Sequence, residues 1–141
     1  KSKVLIIGAG GLGNPTAIYC SAAGIGSIDI CDYDKIELSN LNRQIAFSDN
    51  HLGLSKAIKL RDYCLNLNPN LKVRSIVKRF NDKLPLGNYD IILDIISSCP
   101  SQHKHICCSF GCGIWVAWLQ NILFCVFTGQ NISVHLICTK M

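Results

Sequence analysis

A chain of 141 residues, 49% hydrophobic and 16% charged, is too apolar to be disordered and has room for one domain with a substantial core, expected to span residues 1–141. Its net charge of +5 comes from scattered basic residues, which suits an anionic ligand and lacks the basic block that nucleic acid binding calls for. The opening Lys1-Ser2-Lys3 has no signal-peptide pattern, so the expected location is cytoplasmic and the nine cysteines are expected to be reduced thiols.

Val4-Leu5-Ile6-Ile7 reads as a strand buried on both faces, and it runs straight into Gly8-Ala9-Gly10-Gly11-Leu12-Gly13. Gly8, Gly10 and Gly13 fit G-x-G-x-x-G, in which the first glycine makes a tight turn, the second lets a phosphate approach and the third lets the helix pack on the strand. Asn14 to Ala23 is the helix, with Pro15 near its start, where a missing N–H costs least. Ile28 to Asp32 is the second strand, completing a βαβ unit whose strands should run parallel with a right-handed crossover. Asp32 follows Gly13 by 19 residues, the distance at which a carboxylate accepts hydrogen bonds from ribose hydroxyls. Glycine loop and Asp32 alone would also serve a nicotinamide-dependent oxidoreductase.

The polar stretch Tyr33 to Gln44 lies just beyond the carboxyl end of the second strand, the edge where open α/β sheets bind ligands. Within it, Arg43 could hold a phosphate through two nitrogens. A helix is predicted over Leu54 to Leu67, with an apolar stripe of Leu54, Ala57, Ile58, Cys64 and Leu65. From spacing alone, Lys56 at its start reads as a surface lysine. Leu71 to Val77 alternates as a third strand nearer an edge, and 81–88 reads as a connection with room for a short helix. Tyr89 to Ile96 is a fourth, buried strand that brings Asp94 near the ligand edge. The expected fold class is α/β, a doubly wound, mostly parallel sheet.

Composition changes near residue 95: six of the nine cysteines follow it, and Asp94 is the last acidic residue. Ile106 to Val134 carries no charge, but Gln120 and Asn121 interrupt its most apolar run, so buried strands are favoured over a membrane span. His103, His105, Cys107, Cys108 and Cys112 match no common zinc spacing, and no metal ligands are assigned.

In order along the chain, the glycine loop, Asp32-Tyr33-Asp34, Glu37-Leu38-Ser39-Asn40-Leu41-Asn42-Arg43-Gln44, Gly53-Leu54-Ser55-Lys56-Ala57 and Leu67-Asn68-Pro69 resemble the ThiF/MoeB/HesA family, adenylation domains shared with ubiquitin-activating enzymes. Phe127-Thr128-Gly129-Gln130 resembles a later strand of the family. The resemblance implies a Rossmann-like fold and ATP- and Mg2+-dependent adenylation of the C-terminal glycine carboxylate of a ubiquitin-like or sulfur-carrier protein, in a homodimer or heterodimer. By the same resemblance Gly8, Gly10, Gly11 and Gly13 line the nucleotide and Asp32 binds the ribose. Asn40, Arg43, Gln44 and Lys56 surround the phosphates, with Arg43 and Lys56 the catalytic pair. The Asn40 to Gln44 segment argues against the oxidoreductase. Ser97 stands where the family has a second Asp, which helps to hold magnesium, and Gln102 and Ile106 stand where it has Arg and Asn. The paired C-x-x-C zinc ligands, the transfer cysteine and the N-terminal segment of many relatives are also missing, so the chain reads as incomplete at both ends. The alternative reading is a family member that binds ATP or a partner subunit without turnover.

Overall fold

A computed structural model of the chain describes residues 2–80, 84–95 and 135–138. Strand β1 (Lys3–Ile7) lies at the centre because its apolar run can be covered on both sides: Val4, Leu5, Ile6 and Ile7 are all buried. Helix α1 (Gly13–Ala22) follows the glycine turn and leads to β2 (Ser27–Cys31), which pairs with β1 in parallel, Val4 opposite Ile28 and Ile6 opposite Ile30. After an irregular crossover come α2 (Lys56–Leu67) and β3 (Lys72–Ile76), parallel to β2. Strand β4 (Ile91–Asp94) lies parallel on the other side of β1, and β5 (His135–Cys138) pairs antiparallel with β4. The order β3-β2-β1-β4-β5 contains the 3-2-1-4 arrangement of doubly wound sheets, as expected.

Alternation along the strands divides the core in two. Val4, Ile6, Ile28 and Ile30 pack with Ala17 of α1 and Ala57, Leu60 and Cys64 of α2. Leu5, Ile7, Cys31 and Ile92 meet Tyr89 on the opposite face, joined by Ile76, Phe80, Leu84 and Leu86.

Some boundaries and stripes differ from the sequence reading. The buried face of α2 is Lys56, Ala57, Leu60 and Cys64, whereas Leu54 precedes the helix and is exposed. Leu60 completes the stripe because α2 packs against both α1 and the β2–β3 part of the sheet, so positions three and four apart turn inward. The fourth strand is shorter than Tyr89 to Ile96. Tyr89 instead closes a 3-10 turn over Leu86–Asn88, and its ring is buried on the sheet face. Asp90 and Ile95 extend the pairing by donating their N–H groups to the carbonyls of Lys3 and Ile7, each at 2.9 Å. Cys20, Cys31 and Cys64 are free thiols. Among the described residues no helix is long and apolar enough to cross a membrane. The readings of Ser97, Gln102, the His103 to Cys112 group, the uncharged stretch 106–134 and Phe127 to Gln130 fall outside the described residues.

Candidate functional site

The carboxyl ends of β1 and β2 supply the base of the site. Gly8 leaves β1 at φ 101°, in the left-handed region, while its N–H still bonds the Cys31 carbonyl at 2.9 Å. A Cβ on Gly13 would overlap the Gly8 carbonyl oxygen and lie 2.8 Å from its carbon, so the third glycine is required by helix-to-turn packing. Gly10 differs: beyond its chain neighbours, a Cβ there would find its nearest contact among the described residues, Gln44 Nε2, only at 4.0 Å. The second glycine therefore leaves space above the turn.

Two side chains hold this turn in place. Asn14, fully buried, donates from Nδ2 to the Ala9 and Gly10 carbonyls at 2.9 and 3.3 Å, and its Oδ1 accepts the Ala46 N–H at 3.0 Å. It ties the glycine turn to the crossover segment. Sequence reasoning passed over Asn14; the available signal was a lone amide in the first turn of a helix of small and apolar residues. Asp32, one residue past β2, accepts the Ala9 N–H on Oδ2 at 2.6 Å and the Asp34 N–H on Oδ1 at 2.7 Å. Burial pushes its carboxyl above the usual range, against the pull of those two N–H groups and, more weakly, of Lys56. Each carboxylate oxygen has a second lone pair, so both remain able to accept from a hydroxyl pair.

The crossover brings the next group over the turn. Asn40 is buried, and its side chain caps a short 3-10 turn (Leu38–Asn40) by accepting the Glu37 N–H at 3.1 Å. Its carbonyl accepts the N–H groups of Arg43 and Gln44 at 3.2 and 3.0 Å, so Asn40 aims those two residues. The Arg43 stem would lie 3.4 Å from a Cβ on Gly11, and its Nη1 donates to the Ser39 carbonyl at 2.7 Å and to Asn42 Oδ1 at 3.0 Å. Gln44 is 2% exposed and its Oε1 has no hydrogen-bond partner among the described residues, a buried acceptor beside the glycine turn.

Lys56 corrects the surface reading. It is 7% exposed, and its Nζ lies 3.3 Å from Asp34 Oδ2, with its backbone N–H on the Asp34 carbonyl at 3.0 Å. The pairing escaped the sequence reading because the partners are 22 residues apart and only the crossover's path joins them. The result is a chain of contacts from the glycine turn through Asp32 and Asp34 to Lys56, with Arg43 and Gln44 on the turn's other flank. Asp94, at the end of β4, pairs with Ile7 and so stands beside the same turn. Among the described residues no group of three His, Cys, Asp or Glu side chains could hold a metal ion.

The ThiF family model matches residues 1–108. The chain belongs to the ThiF family. Its first 108 residues contain the whole arrangement just described. The adenylyltransferase and sulfurtransferase MOCS3 of Dictyostelium discoideum is 46% identical over 97 residues, covering 67% of this chain and 23% of that protein. A probable molybdopterin-synthase adenylyltransferase of Porphyra purpurea is 45% identical over 101 residues, covering 67% of this chain and 25% of its own length. The chain therefore spans about a quarter of the curated relatives it matches. Among solved structures, E. coli MccB with ATP superposes with a TM-score of 0.60 at 27% identity, over 68% of this chain and 37% of MccB. E. coli tRNA N6-threonylcarbamoyladenosine dehydratase, TcdA, in complex with AMP gives a TM-score of 0.66 at 26% identity, over 70% of this chain and 42% of TcdA.

Proposed function

We propose that this chain is the nucleotide-binding part of an ATP-dependent adenylyltransferase that activates the C-terminal glycine carboxylate of a ubiquitin-like or sulfur-carrier protein. The observation that carries this reading is the convergence of Asp32, Arg43, Gln44 and Lys56 on one glycine turn, in a chain whose relatives are named adenylyltransferases. In this reading Gly8, Gly10, Gly11 and Gly13 line the nucleotide, with Gly10 leaving room for a phosphate, and Asp32 accepts from the ribose hydroxyls. Asn40 acts through the backbone by aiming Arg43 and Gln44.

The carrier's carboxylate attacks the α-phosphorus of ATP, the bond from that phosphorus to the bridging oxygen breaks, and pyrophosphate leaves with the electron pair. The products are a carrier acyl-adenylate and pyrophosphate. This step needs no nucleophile from the enzyme; it needs positioning and neutralisation of charge on the phosphates, which Arg43 and Lys56 supply. The Lys56 ammonium is buried, and a charge so placed is worth more there than in bulk solvent, while the exposed Arg43 is oriented by its bonds to the Ser39 carbonyl and Asn42. Magnesium belongs to the proposal as the ion that accompanies the triphosphate. No described cluster forms a cage for it, and no step here is routed through it.

The reading is tested by exchange of labelled pyrophosphate into ATP, with and without a candidate carrier protein. Exchange that depends on the carrier is expected. Ser97, in the slot of the family's second Asp, favours a second reading, binding without turnover. Nucleotide binding with no exchange for any carrier would establish that reading in place of the first. A cytoplasmic location and pairing with a second subunit belong to the same proposal.

A further inference from the structure

Lys56 is the only buried cation among the described residues, and it occupies the first position of α2, where the positive end of the helix dipole disfavours it. A buried ammonium in that place requires an anion. Its anion is Asp34, whose carboxylate lies 3.3 Å from Nζ while 47% of the Asp34 side chain remains exposed. The backbone around this pair is fixed independently of it, because the Asp34 N–H is held by Asp32 Oδ1 and its carbonyl by the Lys56 N–H. The Asp34 side chain is thus the half-solvated part of an otherwise anchored unit.

We propose that the Asp34 carboxylate is an internal stand-in for phosphate, engaging Lys56 in the free protein and setting how weakly the site holds a bare polyphosphate. The proposal rests on the nucleotide reading above. A phosphate oxygen bonded to Nζ would come within about 5 to 6 Å of Asp34 Oδ2, close enough for like charges to repel appreciably at a partly buried site. Asp32, the other acid near Lys56, adds to the repulsion but is engaged by the Ala9 and Asp34 N–H groups. Each added phosphate therefore gains attraction to Lys56 and Arg43 and loses part of it to Asp34. Asp34 determines discrimination among nucleotides that share one base and sugar but differ in charge.

The test compares binding of adenosine, AMP and ATP to the full chain in EDTA, for the wild type, Asp34→Asn and Asp34→Glu. Adenosine should bind all three proteins equally. ATP should bind Asp34→Asn roughly tenfold more tightly than wild type, a difference of about 1.4 kcal/mol, and Asp34→Glu, which keeps the charge, should behave as wild type. ATP affinity that is unchanged or lower in Asp34→Asn, with adenosine binding intact, would overturn the proposal and leave Asp34 as a simple support for Lys56. A wild-type chain that binds neither adenosine nor ATP would instead overturn the nucleotide reading on which it rests. If Asp34→Asn does not fold, Asp34→Ser removes the same charge and is read by the same outcomes.

Discussion

Two of the glycines in the turn should fail in opposite ways when each gains one methyl group. At Gly13 the new Cβ overlaps the Gly8 carbonyl oxygen and approaches its carbon to 2.8 Å, and both atoms are backbone. No rotamer change relieves that contact, so α1 must move away from β1, loosening Ala17 from Val4, Ile6 and Ile28. Overpacking of this kind costs about 1–3 kcal/mol or more, which outweighs the gain of at most about 1 kcal/mol that alanine brings to a helix. At Gly10 the nearest atom beyond its chain neighbours, among the described residues, is 4.0 Å away, so Gly10→Ala should leave stability within about 0.5 kcal/mol of wild type. In the proposed placement its methyl would stand in the space assigned to the nucleotide. Denaturant unfolding and ATP titration together separate the two: Gly13→Ala should be clearly destabilised, and Gly10→Ala should be as stable as wild type yet bind ATP at least tenfold more weakly. Gly10→Ala with normal ATP affinity would refute the placement of the nucleotide over this turn.

Arg43→Ala should lower carrier-dependent pyrophosphate exchange by about 10²-fold while adenosine affinity stays near wild type, because the guanidinium is assigned to charge on the phosphates. Equal loss of adenosine binding would remove that assignment. Tyr89→Phe deletes the hydroxyl that donates to Asp29 Oδ2 at 2.7 Å and leaves the Arg74 contact, also 2.7 Å, in place. A loss of about 1–2 kcal/mol in unfolding free energy with unchanged ATP affinity is expected, and a stability equal to wild type would contradict the burial of that network. Burial holds the thiols of Cys20 and Cys31 up at about 11, with Cys64 and Asp32 respectively adding to the shift. Both thiols keep their protons in the folded state at a pH where the unfolded chain loses them, so stability falls as pH rises from 9 toward 11. In Cys31→Ala that alkaline slope should flatten, and site-resolved alkylation at pH 8 should find Cys20 and Cys31 slow until the chain is unfolded.

Much of this fold was legible because its signals are local. Four apolar residues ending on Gly8 specify a central strand and its turn, and the spacing from Gly13 to Asp32 spans one helix and one strand, whose lengths scarcely vary in such a unit. The features that escaped are those in which a polar side chain is paid for by a distant partner. Asp29 in the middle of β2 is buried and held by Arg74 and Tyr89, 45 and 60 positions further along, and nothing in Ile28-Asp29-Ile30 announces either. Lys56 follows the same logic, because a lysine at a helix start is ordinarily solvated and only the loop carrying Asp34 alters that.

Asn14 and Asp32 together explain why so short a turn keeps its shape. A glycine loop has the most conformational freedom to lose on folding, so its preorganisation has to come from groups that bond its backbone. Asn14 takes the Ala9 and Gly10 carbonyls and Asp32 takes the Ala9 N–H, so that both ends of the Ala9 residue are occupied by side chains from α1 and from the end of β2. Those bonds leave the Gly10 N–H and Gly11 as the part of the turn not clamped by the two side chains. An Asn14→Ala variant would release the Ala46 N–H as well, detaching the segment that carries Arg43 and Gln44 from the turn they flank. It should therefore weaken ATP binding more than its loss of stability alone accounts for, and a variant whose ATP affinity matched wild type after correction for the folded fraction would show that the turn holds its shape without Asn14.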